Sequence, residues 1–135
     1  MPLRFAEAFL ALLALGIGMG PSGARADDAG HDCIVSRWAL TKEIEGRAPG
    51  AESAEFSRAD HRVFAYAALD CTRIEAPLHF LFFRNGINYA VVTQSVQPSR
   101  NWRTWAAVKA IPGNWTARLL IGSRVLLEDT FIVKP

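Results

Sequence analysis

The chain has 135 residues, half of them hydrophobic, and a formal net charge of +2 at pH 7. This length is enough for one domain with its own core, but not for two. Its 15 basic residues are scattered along the sequence. Nucleic acids and anionic membranes need a concentrated basic surface, so the composition argues against both partners.

The first 26 residues have the pattern of a secretory signal peptide. Arg4 gives the positive start, residues 9–19 are apolar, and Ala24-Arg25-Ala26 is a small-x-small cleavage site. The apolar segment is shorter than the roughly 20 residues that a membrane-spanning helix needs. We therefore predict export with cleavage after Ala26, and an uncleaved N-terminal anchor is the alternative. The mature domain, residues 27–135, then has 109 residues and no membrane span.

Two cysteines follow this segment, Cys33 and Cys71. In an exported protein an even number of cysteines is typical of a disulfide framework, and two cysteines allow a single pairing. A redox pair and a pair of metal ligands are the alternatives, but the chain has no Cys-x-x-Cys spacing. We therefore predict a structural disulfide.

The first half of the mature chain predicts two strands separated by a loop. Residues 33–41 alternate imperfectly between apolar and polar side chains. The alternation places three side chains on one face: Ile34, Trp38 and Leu40. Residues 43–60 are polar and contain glycine and proline, which is typical of a long loop. Residues 62–71 form the second predicted strand, although their alanines also suit a helix.

A central hairpin is the clearest local prediction. Residues 78–83 are apolar on both faces, as in a buried central strand. Asn85-Gly86 follows them, and this pair favours a type I′ turn because both residues tolerate positive φ. The return strand covers residues 87–96, which are rich in β-branched side chains.

Three further strands complete the pattern, and the last of them can continue through residues 130–133. They cover residues 102–108, 115–121 and 124–127. Pro112-Gly113 and Gly122-Ser123 supply the turns between them. About seven short strands, spaced by roughly 8–12 residues and without a long amphipathic helix, predict an all-β fold. The expected architecture is an antiparallel, immunoglobulin-like β-sandwich.

Three of the four tryptophans lie close together in the sequence: Trp102, Trp105 and Trp115. Trp102 and Trp105 have opposite parity in a regular strand, so they point to opposite faces. We expect one indole in the core and the other exposed or at an edge. An exposed indole beside Arg103 is a candidate binding surface, because Trp and Arg are enriched at hot spots. The alternatives are core packing for each indole and cation–π stacking for Arg103.

The C-terminal half resembles the DUF2914 family, a group of small bacterial domains of unknown function. Four motifs carry the resemblance: Phe82-Phe83-Arg84-Asn85-Gly86, Trp102-Arg103-Thr104-Trp105, Gly113-Asn114-Trp115 and Phe131-Ile132-Val133. It covers residues 78–135 best, and residues 35–41 and 44–49 more weakly. The resemblance implies a small exported domain of a bacterium, in the periplasm or secreted, and implies no activity.

Recognisable catalytic and metal-binding motifs are absent from the sequence. No serine lies in a Gly-x-Ser-x-Gly turn, and the three histidines form no closely spaced ligand pair. We therefore predict a non-catalytic module that binds an envelope protein, without metal or cofactor, through Trp102, Arg103, Trp105 and Trp115. The alternatives are glycan binding by an exposed tryptophan, a small hydrolase with a site assembled from distant residues, and a structural subunit held by edge-strand pairing.

Overall fold

The computed structural model describes residues 31–135, so the predicted signal peptide and its cleavage site lie outside the described residues. The strands are β1 (His31–Thr41), β2 (Ile44–Glu45), β3 (Ala48–Pro49), β4 (Glu55–Ser57), β5 (Arg62–Ile74), β6 (Leu78–Arg84), β7 (Ile87–Gln94), β8 (Ser99–Lys109), β9 (Gly113–Ile121) and β10 (Arg124–Lys134). A 3-10 helix, Arg58–Asp60, precedes β5. Seven of these strands have seven residues or more, which confirms the predicted all-β fold.

Two sheets pack face to face in a β-sandwich. A three-stranded sheet has the order β1-β5-β8, and a five-stranded sheet has the order β4-β10-β9-β6-β7. The neighbouring strands are antiparallel except for β4 and β10, which run parallel. The short strands β2 and β3 form a separate hairpin. Residues 31–135 contain no helix with the length and hydropathy that a membrane crossing requires.

The core lies between the two sheets and is filled by alternate side chains of each long strand. In β9 the odd-numbered residues from Trp115 to Ile121 are buried, and the even-numbered ones between them are half-buried. Leu69 of β5 and Phe80 of β6 are completely buried and belong to the same cluster. This period of two places one face of each sheet against the other.

The central hairpin forms as predicted. β6 lies between β9 and β7, and its residues Leu78, Phe80 and Phe82 have no exposed surface. Asn85 and Gly86 have φ values of 52° and 82°, so both residues of the turn adopt the positive φ expected of them. The return strand ends at Gln94, two residues earlier than predicted.

The prediction that Ile34 shares a face with Trp38 and Leu40 is wrong. The pairing of β1 with β5 shifts register between Val35 and Arg37, so one extra residue of β1 opposes β5 there. A bulge of this kind reverses the parity of the residues that follow it. Leu40 is therefore buried in the core, whereas Ile34 is 70% exposed.

The prediction that residues 43–60 form a long loop is also wrong. This segment contains the β2–β3 hairpin, the strand β4 and the 3-10 helix. β4 pairs with the end of β10, and this pairing buries Phe56 against Phe131, with ring centroids 5.8 Å apart. One buried side chain among polar neighbours gives no alternation that a sequence pattern could reveal.

The predicted disulfide is present. Cys33 and Cys71 are bonded, with an S–S distance of 2.07 Å, and they are register partners in β1 and β5. The bridge therefore joins neighbouring strands of one sheet, not the two sheets. On the chain-entropy model, closing a loop of 38 residues restricts the unfolded chain and stabilises the fold by about 4 kcal/mol.

Candidate functional site

Strand β8 places two of the clustered tryptophans on opposite faces of the sheet, as its alternation predicts. The register between β5 and β8 is regular from Arg62–Lys109 to Leu69–Trp102. Trp102 is half-buried and packs against the main core. Trp105 is half-buried on the opposite face, against Tyr66. Each indole therefore has a different environment, and only Trp105 lies on the outer face of the three-stranded sheet.

An aromatic and arginine surface surrounds Trp105. We call it the Trp105 surface: Arg37, Arg103 and Trp105 are exposed or half-buried, whereas Tyr66 and Ala68, which lie between them in the sheet, are buried. Tyr66 lies opposite Trp105 in the register, and their rings stack with centroids 6.4 Å apart and planes at 12°. Ala68 lies between Arg37 of β1 and Arg103 of β8. The two arginine backbones are thus two strand spacings, or about 10 Å, apart.

The two arginines of the Trp105 surface have few internal partners. Arg37 makes one ion pair, with Glu52 at 3.7 Å, and both side chains are more than half exposed. Exposed pairs of this kind contribute about 0–1 kcal/mol. Arg103 is half-buried and makes no hydrogen bond, ion pair or ring contact within residues 31–135. The stacking alternative for Arg103 is therefore not observed, and its guanidinium is free to bind an acidic group.

The β2–β3 hairpin borders the Trp105 surface. Ile44 packs against the outer face of the sheet, and the Tyr66 hydroxyl donates a hydrogen bond to the Arg47 carbonyl at 3.3 Å. The neighbouring carboxyl of Glu45 has a raised pKa, because it shares a hydrogen bond with Glu43 and also lies beside the like charge of that residue. The hairpin thus packs on Tyr66 and on the outer face of the three-stranded sheet.

Trp115, the third clustered tryptophan, is a core residue. Its side chain is 1% exposed and stacks on Phe131 with centroids 5.6 Å apart, while Tyr89 packs against it edge-on at 5.0 Å. The indole nitrogen donates a hydrogen bond to the Ile111 carbonyl at 2.9 Å. We predicted that Trp115 contributes to binding, but its ring is not exposed to a partner.

A network of hydrogen bonds joins the β6–β7 turn to the start of β9. We call residues 84–85 and 111–115 the clasp. Arg84 donates two hydrogen bonds to the Pro112 carbonyl, from Nε at 2.9 Å and from Nη2 at 2.6 Å. Asn85 and Asn114 exchange a second pair: the Asn85 amide donates to the Asn114 carbonyl at 2.7 Å, and the Asn114 amide donates to Asn85 Oδ1 at 2.9 Å.

Gly113 allows the strands of the clasp to approach each other. Its φ is 152°, and a Cβ at this position would lie 3.0 Å from Arg84 Nε and 3.1 Å from Asn85 Oδ1. Two motifs of the family resemblance, residues 82–86 and 113–115, therefore contact each other. Their function in this structure is to hold the fold together.

Three positions near the Trp105 surface were missed by sequence reasoning. Gln94 of β7 donates a hydrogen bond to the Trp105 carbonyl at 3.0 Å and accepts one from the Thr104 hydroxyl. Tyr66 and Arg37 reach the surface only through the strand register. A tyrosine flanked by alanines was the available signal for Tyr66, since small neighbours leave room for a stacked indole.

Metal chemistry finds no support in the described part of the chain. Within residues 31–135, no three His, Cys, Asp or Glu side chains are grouped as a metal site requires. His79, in the most apolar strand, is half-buried, and its Nδ1 forms a hydrogen bond with the Thr93 hydroxyl at 2.9 Å.

The two packed sheets define an immunoglobulin-like β-sandwich, and comparison with solved structures agrees. The chain is similar to an immunoglobulin-like protein from Pseudomonas aeruginosa, with a TM-score of 0.59 and 16% sequence identity. The match covers 78% of this chain and 99% of the other. At this identity the likeness concerns the fold alone. No family model matches the chain, and no curated protein matches it.

Proposed function

We propose that this protein is a non-catalytic binding module of the bacterial envelope, and that its Trp105 surface recognises a partner protein. The observation that carries the proposal is that Arg103 and Trp105 lie two residues apart on the same face of β8. The guanidinium has no internal partner within residues 31–135, and it lies beside an indole that is already oriented by stacking on Tyr66. The proposal includes membership of the DUF2914 family, which the sequence motifs support.

The chemistry of the surface favours a partner that combines carboxylates with apolar or aromatic contact. A guanidinium can bind a carboxylate through two parallel hydrogen bonds. Arg37 and Arg103 offer two such positions across Ala68. The stacked rings need no further ordering on association, so little conformational entropy is lost there. Tryptophan, tyrosine and arginine are also the residue types most enriched at protein interfaces.

A pull-down from envelope fractions tests this proposal. The baits are the wild-type domain, Trp105→Ala, Arg103→Glu and the control Arg100→Glu, which makes the same charge change in the same strand. We expect Trp105→Ala and Arg103→Glu to lose the captured protein. Once that protein is purified, its Kd for each of these variants should be higher than for the wild type by about tenfold or more. The control should retain wild-type affinity.

Circular dichroism and a non-reducing gel must show that each bait is folded and bridged. Wild-type affinity in both Trp105→Ala and Arg103→Glu would refute the proposed surface.

Glycan recognition is the second candidate, and the half-buried indole of Trp105 favours it. Sugar rings stack on exposed indoles without needing a positive charge. A glycan array therefore separates the two functions. A neutral glycan that binds the wild type and Arg103→Glu equally, but not Trp105→Ala, would replace the protein-interaction proposal.

Export to an oxidising compartment forms part of the proposal. The disulfide between Cys33 and Cys71 supports it, because such bridges form and persist outside the reducing cytosol. The full chain expressed in a bacterium should be recovered with Asp27 as its first residue and with a mass two hydrogens below that of the dithiol. Recovery with Met1 retained and both thiols free would contradict export.

A further inference from the structure

A second site lies at the end of the sandwich where β5 begins and β8 ends. A cleft of about 480 Å³ opens there. We call it the basic cleft, and its lining residues are Arg58, His61, Arg62, Lys109, Ala110, Ile111 and Pro112. Three of these are arginine or lysine, one is a histidine, and none is acidic. The remaining three form an apolar wall.

Two of the cations face each other directly. Arg62 and Lys109 are register partners in the antiparallel pair of β5 and β8. Like charges at such positions are unfavourable. Arg58, Arg62 and Lys109 make no ion pair within residues 31–135, so no internal carboxylate relieves the repulsion. The arrangement lacks an anion that a ligand could supply.

The nearest acidic residue in the sequence is directed elsewhere. Asp60 Oδ2 accepts a hydrogen bond from the Ser57 amide at 2.8 Å, in a capping box at the start of the 3-10 helix. Its Oδ1 lies 4.0 Å from the Lys42 ammonium. Asp60 is thus engaged outside the cleft and does not neutralise it.

The backbone that frames the cleft is fixed. His61 has φ 69° and ψ −46°, a conformation that side-chain-bearing residues rarely adopt. Its amide donates to the Arg58 carbonyl at 3.1 Å, and its carbonyl accepts from the Ala110 amide at 2.8 Å. Strained backbone of this kind persists where surrounding contacts enforce it, and it is concentrated at functional sites.

The apolar wall is fixed as well, because two of its residues, Ile111 and Pro112, belong to the clasp. Trp115 binds the Ile111 carbonyl and Arg84 binds the Pro112 carbonyl. Both carbonyl groups are thus occupied, and the two residues line the cleft, with Ile111 also packed against the core. A ligand meets a preformed site with charge on one side and apolar surface on the other, which lowers the entropic cost of binding.

We propose that the basic cleft binds an acidic peptide segment of a partner protein. Carboxylates would pair with Arg62 and Lys109, and an aliphatic side chain would pack on Ile111 and Pro112. A compact inorganic anion fits less well, because the amides of His61 and Ala110 are already bonded and the apolar wall offers it nothing. The cleft shares no residue with the Trp105 surface, so each proposal stands or fails independently.

Fluorescence anisotropy with a labelled peptide that alternates glutamate and leucine tests the inference. The purified domain should bind this peptide, and the same peptide with glutamine in place of glutamate should bind at least about tenfold more weakly. Lys109→Glu should weaken binding of the acidic peptide by a similar factor. Arg73→Glu, the same kind of charge reversal near the far end of β5, should leave its Kd within about twofold.

Lys109→Glu is chosen because we expect it to remain folded, so that a loss of binding is not caused by a loss of folding. The new carboxylate lies opposite Arg62 and replaces a like-charge pair with an attractive one, so the Tm should not fall. Equal binding of the neutral and acidic peptides, or unchanged binding in Lys109→Glu, would overturn the inference. Displacement of the acidic peptide by inorganic phosphate, with an affinity equal to that of the peptide, would overturn it in favour of a simple anion site.

Discussion

The clasp and the Trp105 surface both combine arginine with tryptophan, but they use the two residues differently. In the clasp, Arg84 donates two hydrogen bonds to one carbonyl, and the Trp115 side chain is 1% exposed. On the Trp105 surface, Arg103 has no partner within residues 31–135, and the indole is half-buried. The difference teaches that residue type alone does not mark a binding site. Internal partners indicate a structural role, and their absence leaves a residue available for recognition.

The largest expected effect comes from the tryptophan of the clasp. Trp115→Ala should lower the free energy of unfolding by about 3–5 kcal/mol, because it opens a cavity and leaves the Ile111 carbonyl without its donor. Trp105→Ala should cost only about 1–2 kcal/mol, since the indole that it removes is half-buried and stacks on one ring, that of Tyr66. Guanidinium unfolding of both variants measures the contrast. An equal or larger cost for Trp105→Ala would show that the Trp105 surface is structural.

Arg84 and Arg103 should also differ in how much they contribute to the free energy of unfolding. Arg84→Ala should cost about 1.5–3 kcal/mol, because the half-buried Pro112 carbonyl loses two hydrogen bonds from a charged donor. Arg84→Lys, which keeps the charge but not the paired donors, should fall between the wild type and Arg84→Ala. Arg103→Ala should change stability by no more than about 0.5 kcal/mol. Urea unfolding measures the free energy of unfolding of all three variants. A large loss in Arg103→Ala would show that Arg103 also has a structural role.

Glycine substitutions test how closely the clasp is packed. Gly86→Ala introduces strain at positive φ but meets nothing within 4 Å. Gly113→Ala adds a Cβ that must displace Arg84 and Asn85 as well. We expect costs of about 1 kcal/mol for Gly86→Ala and about 1–3 kcal/mol for Gly113→Ala. Thermal unfolding compares them, and the reverse order would mean that Arg84 moves aside freely.

The smallest effect concerns the hairpin beside the Trp105 surface. The pKa of Glu45 is raised from its ordinary value of 4.5, so the folded state holds this proton more tightly than the unfolded chain does. The contribution of Glu45 is therefore most favourable below 4.5 and is lost as the pH rises through the raised pKa. Glu45→Gln should raise the Tm slightly at neutral pH and leave it unchanged in acid. Scanning calorimetry from acid to neutral pH measures the Tm of the wild type and Glu45→Gln. A Tm gain confined to acid would contradict the prediction.

Much of the fold could be predicted from local patterns. Alternation and turn residues located the seven long strands, and parity alone assigned Trp102 and Trp105 to opposite faces. The bulge in β1 could not be predicted, because an extra residue exists only relative to its partner strand. For the same reason β4 was missed, since its pairing with β10 joins segments that are far apart in sequence.

The site was predictable only in part. Trp105 and Arg103 were identified by their own residue types, but Tyr66 and Arg37 enter the surface through cross-strand register. The basic cleft escaped notice because Lys109 is far from Arg58 and Arg62 in sequence and joins them only through the pairing of β8 with β5. Scattered basic residues in a sequence therefore do not exclude a concentrated basic site in the structure.

The hydrogen bonds of Gln94 have a consequence for the behaviour of the protein in solution. β8 ends its sheet, and an exposed strand edge is a template on which foreign strands can add and aggregation can begin. The side-chain amide of Gln94 carries the same donor and acceptor as a peptide group, and it occupies the Trp105 carbonyl and the Thr104 hydroxyl. Gln94 thus occupies one backbone carbonyl that an added strand would use, and a foreign strand must first displace it.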